Sequence, residues 1–414
     1  MIRPDWISLD AEALRVRIDP REPAFVQHPY TAYAFLQEAA PVFFWEDYGM
    51  WCVTRFDDVN RLLRDRHLGR ERPGGYIAAV TASGDRAALA RFDAVEAGSL
   101  LELEPPAHTR LRMLVNRAFV SRRIERLRPR IETLAQNLID GFERGGRGDL
   151  LPAFATPLPA VVITEMMGLP PESAPRLVAW SNAMVRMYMH APSSDDAERA
   201  DAAAGAFAAF IREQSLNRQS TPGDDLLGVL VSAREDNDRL SEDELVSSAI
   251  LLLNAGHEAT VHQIGNAVRA ILDQDVDPRR FFATQAESEA TVEECLRFDA
   301  PLHMFTRYVY QAVEIAPGVT LQPGEQVGLL LGAANRDPAA FDEAGRFRPD
   351  RSDQRNVSFG AGIHFCIGAP LARLELQIAL KVLFERLPRM RVAEPPRYRD
   401  SYHFHGLERL IVEW

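Results

Sequence analysis

Lysine is almost missing from this chain of 414 residues: Lys381 is the only one, and nearly all the positive charge is arginine. Asp and Glu number 59 against 47 Lys and Arg, a net charge of −12. That shortage argues against nucleic acid or an anionic membrane as the main partner, because both reward surplus cations. Cysteine is equally scarce. Cys52, Cys295 and Cys366 fit no zinc or CxxC spacing, and an odd count makes no disulfide framework. The thiols are expected to be reduced and the compartment cytoplasmic. Long apolar runs are missing too. The greasiest stretch, 249–253, falls far short of the roughly 20 residues that span a bilayer. Met1-Ile2-Arg3-Pro4-Asp5-Trp6 opens without an apolar signal-peptide run. No repeat and no low-complexity linker divides the chain, which favours one compact unit over residues 1–414.

What is present is the mixture of a folded globular protein, 46% hydrophobic and 26% charged. A core of this size has room for an internal cofactor. The spacing predicts helices over 29–38 and 56–64, with a hairpin between them from Val42-Phe43-Phe44-Trp45 and Met50-Trp51-Cys52-Val53-Thr54. Periodicity fades over 67–99, a length of loop that is often functional. Helical spacing then dominates from 105 to about 240. The longest helix, 241–273, opens with a capping box at Ser241-Glu242-Asp243-Glu244. Another covers 286–298. Strands follow around 305–310, 313–315, 319–321 and 326–331, and a last long helix spans 370–387. The expected fold class is mainly α with a minor β part, concentrated at about 40–56 and 302–332, without βαβ alternation.

The sharpest segment is Phe359-Gly360-Ala361-Gly362-Ile363-His364-Phe365-Cys366-Ile367-Gly368. A glycine-rich turn delivers a cysteine to a helix N-terminus, where backbone N–H groups and the helix dipole favour thiolate over thiol. Such a sulfur suits an axial metal ligand, and the glycines let backbone close beneath a flat cofactor. A Cys366–His364 nucleophile pair is the rival, but i, i+2 spacing in a Gly-rich turn suits a ligand loop better than a triad.

This decapeptide resembles the haem-binding loop of the cytochrome P450 family. The resemblance implies the P450 fold with a long central helix over haem b, Cys366 as iron ligand, and Phe359 and Gly368 as loop residues around the cofactor. It implies a bacterial-type monooxygenase that takes O2 and two electrons from a separate ferredoxin with its reductase, or from a flavin protein. One oxygen atom would enter an apolar small molecule of terpenoid, polyketide or aromatic class. A peroxide-using or isomerising haem enzyme and a non-catalytic haem-binding protein are the alternatives.

Further landmarks follow in the family's order. Glu294-Cys295-Leu296-Arg297 puts Glu294 and Arg297 on one helix face. By resemblance they form a buried charge network with an arginine of the following meander, Arg346, or alternatively Arg351. His108 and Arg112, spaced i and i+4 after Glu104-Pro105-Pro106, share a face suited to a carboxylate. With Arg307 and His364 they match the family's propionate partners. Arg112, Arg117, Arg355 and Arg373 are expected to form a basic patch for the electron donor.

In the long helix, Ala255-Gly256-His257-Glu258 resembles the family's oxygen-groove motif, with Ala255 and Gly256 leaving space and Glu258 supplying an acid. The hydroxyl that usually follows the acid is replaced by Ala259. Thr260 comes one place later, about 100° around the helix, and cannot take the same position without unwinding. Ordered water or an oxygen function on the substrate is expected to stand in. His257, Glu258 and His262 also imitate a zinc-protease HExxH, but i, i+5 histidines lie about 140° apart and share no ligand face. By resemblance, Leu251, Asn254, Leu302, His303, Phe305, His403 and Phe404 line the substrate pocket.

Overall fold

The computed structural model describes residues 3–74, 89–116, 119, 121–190, 192–220, 223–232, 234–235 and 238–414. Its centre is the helix Glu242–Leu272, capped by the box that the sequence announces: Ser241 accepts from the Glu244 amide and Glu244 accepts from the Ser241 amide. Twenty-two of its residues are buried. A helix apolar on most sides must lie inside a helical assembly, and this one packs among Pro157–Met166, Ala174–Val185, Ser194–Ser220, Gln285–Phe298 and Ala369–Arg386. No helix among the described residues is long and apolar enough to cross a membrane.

The largest β element is a seven-stranded sheet, accompanied by four smaller sheets among the described residues. The predicted hairpin forms, with Val42 opposite Val53 and Trp45 opposite Met50. Gln326–Leu329 joins it in parallel, setting Val327 against Trp51, and pairs antiparallel with Phe305–Val309, setting Val327 against Arg307. Among the strands that escape the sequence pattern are Ser8–Asp10, Arg15–Arg17 and Arg147–Asp149. Three residues are too few to display a period of two. Within the helical region that begins at 105, Ser121–Glu125 and Arg128–Phe142 are separate helices, with Pro129 in the first turn of the second, where a missing N–H costs nothing. The fold class is mainly α with a minor β part, as expected.

Much of the predicted loop over 67–99 is ordered. Leu68–Gly69 adds an edge strand on Val309, and Ala90–Glu96 is a helix. Asp201 of the helix Ser194–Ser220 caps it in trans, accepting from the Arg91 and Phe92 amides at 2.6 and 3.0 Å. Residues 75–88 lie outside the described set.

Candidate haem site

The loop before the helix Ala369–Arg386 folds as a tight return. The Cys366 amide donates to the Phe359 carbonyl at 3.0 Å. Gly360 and Gly362 carry φ of 68° and 71°, a region that L side chains avoid. A Cβ on Gly362 would come within 2.7 Å of the Leu63 carbonyl oxygen. Burial pushes the Cys366 thiol above its ordinary value, while the Gly368 and Ala369 amides, Arg112 and Arg373 pull it down. A metal cation at the sulfur supplies the charge that tips this balance to thiolate.

Beside this loop the structure gathers the predicted cations around one carboxylate. His364 Nε2 lies 2.9 Å from Glu104 Oε1, which also accepts from the Arg70 amide at 2.6 Å. Burial opposes the charge on Glu104, but His364 and the Arg70 amide outweigh it and hold the carboxyl below its usual range. The His108 and His364 rings stand 4.4 Å apart. Arg112 reaches the Phe365 carbonyl. Arg307 is buried, and burial with repulsion from Arg70 pushes it down to about 9. Its one hydrogen bond among the described residues goes to the Thr306 carbonyl. His108 is 2% exposed, yet neither of its ring nitrogens meets a hydrogen-bond partner. Orphaned donors and an unmatched buried guanidinium are costly. An anionic group such as a carboxylate satisfies both. The residues therefore fit a haem whose iron meets Cys366 and whose propionates meet His108, Arg112, Arg307 and His364. The sequence missed Arg70 and the organising role of Glu104; nothing near Arg70 in the chain signals it, whereas Glu104 opens the His108 motif.

Along the long helix from 251 to 260, Leu251, Ala255, Gly256 and Ala259 keep exposure while the other residues are buried, and Leu251, Ala255 and Ala259 align. They are spaced i, i+4 and i+8, one stripe. Thr260 is buried off that stripe, and Ala259 occupies it. At Gly256 a Cβ would sit 2.7 Å from Ile163, so the glycine lets the helix Pro157–Met166 approach, and the long helix is continuous through it. Glu258 is buried, with Oε1 3.2 Å from His262 Nε2.

The predicted pocket residues divide. Leu302 bridges to Phe404, and His403 faces the Tyr188 ring at 6.2 Å, so three distant segments converge. Tyr188 donates to Glu96 at 3.0 Å. Burial and the nearby Glu102 push Glu96 up to about 8, and burial pushes His403 down to about 4. Asn254 points its amide nitrogen toward the Met184 sulfur at 3.9 Å. Phe305 lies against Gly360 of the cysteine loop. His303 belongs elsewhere: fully buried, it bonds the Tyr33 hydroxyl at 2.7 Å and stacks near His405, in a network anchored by Asp299. Its imidazole satisfies core hydroxyls and does not reach a substrate face.

Two charge assignments also change. Glu294 and Arg297 pair at 2.7 Å with both side chains buried, but the third guanidinium is that of Arg351. Arg346 contributes only its carbonyl to Arg297 at 3.1 Å, and its exposed side chain pairs with Glu343. Of the expected basic patch, Arg355 and Arg373 are each matched by a carboxylate, Asp353 and Glu293. Arg117 lies outside the described residues.

Comparison with known proteins decides the family. Residues 288–396 match the family model described as Cytochrome P450. Cytochrome P450 107B1 of Saccharopolyspora erythraea is 38% identical over 400 residues, 94% of this chain and 96% of that protein. The chain belongs to the cytochrome P450 family. It is a haem-thiolate monooxygenase, an oxidoreductase. The 6-deoxyerythronolide B hydroxylase of the same organism is 36% identical to this P450, covering 92% of this chain and 95% of that one. Among solved structures, P450BioI in complex with a hexadec-9Z-enoic acid ligated acyl carrier protein aligns with a TM-score of 0.87 and 31% identity, over 94% of this P450 and 99% of that chain.

Proposed function

We propose that this P450 oxidises an apolar, oxygen-bearing small molecule of polyketide type, with a terpenoid or aromatic compound as the other classes its pocket would take. The support is the convergence of Tyr188, Glu96 and His403, with the charges of Arg70 and Glu102 nearby, polar anchors of the kind that orient a ligand. Relatives named Mycinamicin IV hydroxylase/epoxidase and 6-deoxyerythronolide B hydroxylase point the same way.

The cofactor would be haem b, held through its iron by Cys366 and through its propionates by His108, Arg112, Arg307 and His364. The bound haem supplies activation of O2 with two electrons and transfer of one oxygen atom, helped by electron donation from the thiolate. The chain's own work is to shield the sulfur with the Gly368 and Ala369 amides, hold the propionates, and keep the Leu251–Ala255–Ala259 stripe small. Glu258 relays the proton that the missing hydroxyl at Ala259 cannot pass on, with water or a substrate oxygen completing the path. Electrons come from a separate ferredoxin or flavin protein docked beside the cysteine loop, where Met113, Ile363 and Phe365 are 42%, 50% and 39% exposed. Apolar side chains exposed in one region mark an interaction surface. The reaction takes place in the cytoplasm, whose reductants keep Cys366 free.

The observation that carries this reading is the cysteine loop beside an orphaned His108 and an unmatched Arg307. The purified protein, reduced under carbon monoxide, should show the absorption band of thiolate-ligated haem, and Cys366→Ser should lose it. A band at the position of imidazole-ligated globins would refute the assignment. Product that forms with peroxide but never with a surrogate redoxin pair and NADH would establish the peroxide-driven alternative.

A further inference from the structure

The long helix carries three titratable groups within two turns, His257, Glu258 and His262, and the geometry gives each a different task. His257 Nδ1 lies 2.9 Å from the Leu253 carbonyl, which can only accept. The proton of this ring is therefore on Nδ1, and its Nε2 is a lone pair. That lone pair has no partner and lies 3.7 Å from Glu258 Oε2. The other oxygen, Oε1, is 3.2 Å from His262 Nε2. Glu258 thus sits between one imidazole arranged to receive a hydrogen bond and one arranged to give it.

The two faces favour different protonation states of the same carboxyl. As a carboxylate, Glu258 pairs with a protonated His262. As a carboxylic acid, its Oε2 hydroxyl has an acceptor waiting in His257 Nε2. His262 is 3% exposed and lies under the C-terminal turn, where a Cβ on Gly406 would overlap its ring and the Phe404 ring stands 5.9 Å away. From that same segment the exposed Arg399 acts on Glu258 through its charge. Burial opposes ionisation of Glu258, but His262, His257 and Arg399 outweigh it and hold the carboxyl below its usual range.

We propose that His262 is the positioning partner and proton store of Glu258, replacing in function the hydroxyl that Ala259 lacks. This rests on Glu258 being the proton group of the site. One proton passes from His262 Nε2 to Glu258 Oε1; the imidazolium becomes a neutral ring that keeps its Nδ1 proton, and the carboxylate becomes a carboxylic acid. Water is the final source that reloads His262. The loaded state is the ion pair.

The test uses the holoenzyme with its substrate, a surrogate redoxin pair and NADH, comparing wild type, Glu258→Gln and His262→Gln. Glutamine at 262 keeps a hydrogen-bond donor but stores no proton. Product formed per NADH in the wild type should fall as pH rises. His262→Gln should lose that dependence and drop about tenfold or more at neutral pH, a modest share of what a positioned acid contributes. An activity-free readout is the infrared band of the protonated Glu258 carboxyl, assigned by its loss in Glu258→Gln. In His262→Gln it should appear at higher pH than in the wild type. An unchanged titration and unchanged coupling in His262→Gln, with coupling lost in Glu258→Gln, would overturn the role of His262 alone. Wild-type coupling in Glu258→Gln would instead overturn the reading of Glu258 beneath it. If His262→Gln does not retain the wild-type carbon monoxide spectrum, His262→Asn replaces it under the same criteria.

Discussion

Arg351 Nε lies 3.2 Å from Glu294 Oε1, with both side chains buried. That oxygen also accepts from Arg297 Nη2 at 2.7 Å and from the Arg348 amide at 2.6 Å. Arg351 in turn donates to the Glu343 and Arg346 carbonyls, each at 2.9 Å. The guanidinium thus ties the meander to the helix Gln285–Phe298, and through it to the cysteine loop, since Ser358 donates to the Leu296 carbonyl at 2.7 Å.

Removing one member of a buried charge network strands its partners, at a cost of about 3–5 kcal/mol. Arg351→Ala should destabilise the holoenzyme by that amount in urea unfolding and accelerate haem loss. Arg346→Ala removes an exposed side chain and should stay within about 0.5 kcal/mol. Equal effects of the two substitutions would contradict the assignment.

Gly256 makes a second prediction, because packing and gas access give opposite results. Gly256→Ala gains roughly 1 kcal/mol of helix propensity but forces a methyl onto Ile163, an overpacking cost of about 1–3 kcal/mol. The net should be a mild destabilisation that is less than additive with Ile163→Ala, which removes the contacting Cγ1, while carbon monoxide binds the reduced enzyme at the wild-type rate. Slower gas binding that Ile163→Ala does not restore would return Gly256 to the oxygen groove.

Glu96 sets a pH dependence of stability. Its carboxyl is pushed up to about 8 in the folded chain, chiefly by burial, against an ordinary value near 4.5. A raised acid is stabilising in its protonated form, so that stability is fully present below the unfolded value and is lost as pH rises towards 8. Glutamine does not titrate. Glu96→Gln should therefore gain on the wild type between pH 5 and pH 9, measured as the difference in unfolding free energy at the two ends. A difference that stays constant across that window would show that the folded chain does not raise this carboxyl.

Some of this was readable along the chain because its physics is short-range. The Ser241 capping box, the Met50–Val53 hairpin and the turn that brings Cys366 to a helix N-terminus each depend on a few neighbouring residues, and each is formed. The i, i+3 pairing of Glu294 with Arg297 has the same origin. The partners that arrive from elsewhere were not readable. His303 stands next to Leu302 in sequence, yet one bridges to Phe404 and the other turns to Tyr33, a divergence that only the packing around the two residues decides.

Local spacing in the amino-acid order was enough to specify the helical class, the long helix, and the turn that carries Cys366, the sulfur proposed to hold the iron. The charges that surround this sulfur were settled by packing. Arg70, Glu104, Arg307 and His364 come from four separate stretches of chain, and parallel pairing of Gln326–Leu329 with Met50–Val53 sets the sheet that carries Arg307. A hydrogen bond acts over about 3 Å. Which distant side chains come within that reach depends on how helices and sheet dock, and sequence spacing holds no measure of that distance.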